Sequence, residues 1–88
     1  MEAEKMGVEE LKRLVLIREK DAAEAFEKMK QIIIEMERET SETRKWELLG
    51  RLRVAESILL STVGKLLSSY RAYTAALEKQ VRGGRVAV

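Results

Sequence analysis

Placed about 100° apart around a helix, Val8, Leu11, Leu14, Val15, Ala22, Ala25, Phe26, Met29, Ile32, Ile33 and Met36 fall inside an arc of about 120° that only Arg18 interrupts. The pattern predicts a long amphipathic helix over residues 8–38. Leu16 and Ile34 lie on another side, eighteen residues apart and therefore at one angle, and point to a second contact. The segment "ERETSETRK" that follows has no large apolar residue. Its hydroxyls compete with helical hydrogen bonds, so a turn is expected over about 39–43, with Ser41 or Thr40 as N-cap and Glu42 in the first turn of the next helix. Neither Gly nor Pro marks the turn, and a single unbroken helix in a long coiled coil satisfies the same pattern.

From residue 44 to about residue 82 a second periodic segment places Leu48, Leu49, Leu52, Ala55, Leu59, Leu60, Val63, Leu66, Leu67, Tyr70, Tyr73, Leu77 and Val81 on one broad stripe, with Glu56 and Thr74 as its polar members. Two helices of similar length joined by a short turn form a helical hairpin. "RGGRVAV" reads as the end of the second helix, with Gly83 suited to a left-handed cap and residues 83–88 as a basic, apolar tail. The predicted fold class is all-α, a single domain of two long amphipathic helices in an antiparallel hairpin that self-associates into a bundle or a helical array.

Opposite the leucine stripe, Gly50, Ser57, Ser61, Gly64, Ser68 and Ala75 recur at helical spacing. Gly64 thus belongs to a strip of small side chains. The Gly64–Lys65 pair is not a phosphate loop, because Leu59 and Leu66 stand where that motif needs a glycine and a hydroxyl residue. Small residues let a second backbone approach closely, which makes an oligomer interface of this strip, together with Leu16, Ile34 and Trp46. The second reading is a phosphate backbone laid along the strip between Arg44, Arg51, Arg53, Lys65, Arg71, Lys79, Arg82 and Arg85, neutralised without base readout.

Charge sharpens that choice. Residues 1–42 carry eight Lys/Arg against twelve Asp/Glu, and residues 43–88 carry nine against three, giving −4 and +6 within a net charge of +2. An acidic first helix of a neighbouring subunit is the competing partner for the basic second helix.

With 88 residues and neither Cys nor His, the chain offers a thin core, no disulfide, no thiolate or imidazole metal ligand and no histidine base. One Asp and no Asn leave little for a carboxylate metal site. Ser61 with Lys65 is an ordinary helical spacing, and Glu56 in the leucine stripe is expected to pair with Arg18 and fix register. Tyr70 and Tyr73 share the leucine stripe, which makes them packing residues with hydroxyls at the rim. No catalytic residue, metal or cofactor is expected.

No apolar run reaches membrane-spanning length, and "MEAEKMGVEE" is acidic where a secretion signal is basic. The expected location is the cytoplasm or an assembled particle. The abundance of Glu, Lys and Arg, with no Asn or Cys, matches the bias of proteins from hot environments. Together these features predict a non-catalytic, self-assembling structural subunit whose partners are itself and the backbone of DNA or RNA, as in a small capsid or nucleoid protein. The alternative is a dimeric four-helix adaptor or regulator that binds a protein partner.

Overall fold

The computed structural model describes the backbone of residues 7–87 and the side chains of residues 7–83. Helix α1 spans Val8–Arg38 and helix α2 spans Glu42–Ala87, with no strand among the described residues. The turn between them is short and locally satisfied. Glu39 leaves α1 in an extended conformation, and its carboxylate Oε1 accepts the backbone N–H groups of Thr40 at 3.2 Å and Ser41 at 3.1 Å. Ser41 then caps α2: its Oγ accepts the Arg44 N–H at 3.3 Å, which satisfies one of the otherwise unpaired donors of a helix start. Thr40 takes no capping role.

The helices lie together as a helical hairpin, and their contact is narrower than the apolar stripes. On α1 one covered series is Val8, Leu11, Val15, Arg18, Ala22, Ala25, Met29, Ile32 and Met36, with Leu14 half-buried beside it; on α2 the series is Leu48, Leu52, Ala55, Leu59, Thr62, Leu66, Ser69, Tyr73 and Ala76, with Arg44, Leu49 and Ala72 half-buried beside it. Each series alternates steps of three and four, the 3.5-residue repeat of a coiled coil. Small side chains dominate its middle, Ala22 and Ala25 facing a series that includes Ala55, Thr62 and Ser69, and the molecule is only 14 Å across its thinnest direction. The two hydroxyl residues spend their hydrogen-bonding capacity within α2, Thr62 Oγ1 donating to the Ile58 carbonyl at 2.6 Å and Ser69 Oγ to that of Lys65 at 3.0 Å. They need nothing from α1.

The predicted Arg18–Glu56 pair does not form. Arg18 lines a groove with Asp21, Glu24, Thr62 and Lys65, its Nε buried without a partner, while Glu56 is exposed one residue outside the covered series of α2. Helix α2 also runs past its expected end at Arg82, through Gly83 to Ala87, and no described glycine has a positive φ. Glycine permits a left-handed cap without demanding one, and the Glu78–Arg82 ion pair at 2.7 Å supports the turn that leads into it. At about 1.5 Å per residue, the 46 residues of α2 account for the 69 Å length of the rod.

Candidate functional site

Each helix has two rows beside the covered one, and they come together on opposite sides of the hairpin. The rows one residue earlier form a charged flank. There Glu35 sits 3.8 Å from Arg44 and 3.9 Å from Arg51, and Arg44 also meets Glu47 at 3.0 Å. An open groove of about 1050 Å³ runs along this flank over Ala25, Ile32, Gly50, Val54, Ala55 and Ile58, with Glu24, Lys28, Glu35 and Arg51 at its rim, and Ile17, Val54 and Ile58 are exposed apolar residues among the flank's charges.

The rows one residue later form an apolar flank. From α2 it takes half-buried Leu49 and exposed Leu60, Val63, Leu67, Tyr70, Leu77 and Val81, with Arg53, Glu56 and Thr74 in the same row, and from α1 Leu16, Ala23, Phe26 and Ile33, with Lys12, Glu19, Lys30 and Glu37 between them. Leu60 is 75% exposed, Leu16 55% and Leu67 50%, so the apolar members of this row are left open. Its two halves are joined where the Tyr70 hydroxyl donates to the Glu19 carboxylate. That hydrogen bond, reinforced by the negative charge of Glu19, raises the Tyr70 pKa above its ordinary value of 10. Lys30 lies 5.6 Å from the centre of the Phe26 ring, a cation–π contact at the edge of the flank.

The predicted site residues are distributed over several faces of the hairpin. Gly50, Ser57, Ser61, Gly64, Ser68 and Ala75 are all exposed along one strip of α2, and Gly50 also lines the groove of the charged flank. A Cβ built on Gly50 or Gly64 meets nothing within 4 Å, so nothing within the hairpin requires glycine there. Leu16 joins the apolar flank, Ile34 stands apart on the outer side of α1, and Trp46, 70% exposed, lies beside a hollow formed with Met36, Glu42, Lys45 and Leu49.

Among the candidate cations, Arg44, Arg51 and Arg82 are held by carboxylates. Arg53, Lys65, Arg71 and Lys79 are exposed with no ion pair among the described residues, Arg53 and Arg71 on one side of the strip and Lys65 on the other. The side chain of Arg85 lies outside the described residues. The tyrosines separate: Tyr73 is in the covered seam and Tyr70 in the open one.

Periodicity puts Leu60, Val63, Leu67, Phe26 and Ile33 on the same stripes as the covered residues. The signal that separates the α2 members is spacing, for 49, 56, 63, 70 and 77, with 60 and 67 beside them, repeat by seven next to 48, 55, 62, 69 and 76. A broad stripe on a wheel merges the two series. Among the described residues no group of acidic side chains is arranged to hold a metal ion, and no helix is long and apolar enough to cross a membrane. No protein-family model, curated protein or solved structure matches the chain.

Proposed function

We propose that this chain is a non-catalytic structural subunit, an antiparallel helical hairpin that self-associates through its apolar flank. One observation carries the reading: beside the covered seam, Leu60, Val63, Leu67, Tyr70, Leu77 and Val81 of α2 form an exposed apolar row next to Leu16, Phe26 and Ile33 of α1. The covered seam alone makes a poor core, since Leu11, Val15, Ala25, Ile32 and Leu48 are the only buried apolar residues among those described. Leu16, Phe26, Ile33, Leu60, Val63, Leu67, Tyr70, Leu77 and Val81 stay exposed on one side. Completing the burial of a half-covered side chain contributes about 1 kcal/mol. Two copies of this flank therefore offer roughly 15–20 kcal/mol, against about 4–15 kcal/mol lost on association.

The adaptor reading shares this assembly and differs only in adding a protein partner. No nucleic-acid partner is proposed, because the seven candidate cations among the described side chains do not make one patch. Sedimentation or light scattering across a concentration series tests the assembly. The native chain is expected as an oligomer, and Leu60→Glu combined with Leu67→Glu as a helical monomer at the same concentration. A native chain that stays monomeric up to about 100 μM, where weak dimers still form, would overturn the reading.

A further inference from the structure

The occupant of the apolar flank can be identified from α1, whose exposed row is Lys12, Leu16, Glu19, Ala23, Phe26, Lys30, Ile33 and Glu37. Read backwards, this row complements itself. Turned about a point between residues 24 and 25, it sets Lys12 against Glu37, Leu16 against Ile33, Glu19 against Lys30 and Ala23 against Phe26. Every charge meets its opposite and every apolar group meets another, with the largest side chain on the smallest. We infer that a second copy docks on this flank head to tail, about a two-fold axis that crosses the helices at right angles, giving a closed dimer of four helices rather than an array. The inference rests on the self-association proposed above and specifies its partner and geometry.

The contacts within the hairpin fix where the axis meets α2. Glu35 lies by Arg51 and Glu19 by Tyr70, so the axis passes near Val63. It brings Leu60, Val63 and Leu67 of one copy against the same three of the other. Arg53 and Glu56 are the charges this sets toward apolar-flank neighbours, Leu67 and Tyr70. The other two-fold arrangement, with the axis along the rod, lays α1 on α2 of the second copy. At the register of the Glu35–Arg51 contact it sets Glu19 on Leu67, Ile33 on Arg53 and Glu37 on Leu49, and of the α1 charges matches only Lys30, with Glu56. The head-to-tail pairing alone gives every charge of the α1 row an opposite charge, and it is selected on that ground. Because each copy offers the same patch to the other, the interface satisfies itself and growth stops at two.

The absence of cysteine from the chain makes cross-linking a clean test. Under mild oxidation, an equimolar mixture of Leu16→Cys and Ile33→Cys chains is expected to give at least five-fold more disulfide-linked dimer than either variant alone. In the head-to-tail dimer, Leu16 of the two copies stand seventeen residues apart along the rod, about 25 Å, beyond disulfide reach. As a second arm, Lys12→Glu is expected to weaken the dimer several-fold, and Lys12→Glu with Glu37→Lys to restore it. A dimer confirmed by light scattering that shows neither the mixed cross-link nor the rescue overturns this geometry and leaves self-association standing. A monomeric native chain overturns both.

Discussion

Gly64 is helical, exposed and open at its Cβ position, so its cost is conformational entropy that no contact within the hairpin repays. Gly64→Ala is therefore expected to raise stability by about 0.5–1 kcal/mol, read as a higher denaturant midpoint with unchanged slope. Gly64 also lies outside the apolar flank, so the oligomer observed by light scattering should not change. Loss of assembly in the alanine variant would return the small-residue strip to the role of an interface. The strip itself was legible as a row of small residues at helical spacing. What faces it was not, because a row of small side chains has the same period whether it meets a backbone or water. The exposed row of α1 was hidden for the opposite reason: half of its members are charged, and its regularity shows only when it is paired with itself.

At the scale of the elements, the covered seam carries a single long charged side chain, Arg18, in a stretch otherwise made of Val15, Ala22 and Ala25. Its Nε is buried without an acceptor, and a buried donor left unpaired costs about 1–3 kcal/mol. Arg18→Leu is expected to raise the unfolding free energy by about 1 kcal/mol, part of the gain being offset by the arginine side chain's lost packing in the groove that it lines. Equilibrium unfolding of the two proteins measures it, and a destabilised leucine variant would show that the groove contact outweighs the orphaned Nε. The start of α2 was legible because Ser41 and Glu42 satisfy and complement a helix N-terminus. Its end was not, since Gly83 is compatible with both a cap and a continued helix. The division of the leucine stripe into two seams escaped for a geometric reason. Rows offset by one residue and repeating every seven drift into each other on a wheel drawn at 3.6 residues per turn.

For the whole molecule, the turn at Glu39–Ser41 is encoded in more than its capping hydrogen bonds. The covered seam of α1 ends at Met36 and half-buried Glu39, and continuing its steps of four and three leads to Thr43, Trp46, Gly50 and Arg53. All four are exposed. The seam of α2 instead resumes at Leu48 and Leu52, two residues out of phase, and two residues are about 200° of helix. An unbroken helix would thus carry its two seams on opposite sides, with no single neighbour able to cover both. Replacing Glu39, Thr40 and Ser41 by alanine removes the caps and favours helix locally, yet small-angle scattering is expected to show a maximum dimension near the 69 Å of the hairpin. A rod near 120 Å, the length of about 80 helical residues, would show that local propensity outweighs phase. The same jump limits exchange between copies: two chains that trade their second helices must each still bend at Glu39–Ser41, and straightening the turn gains them nothing.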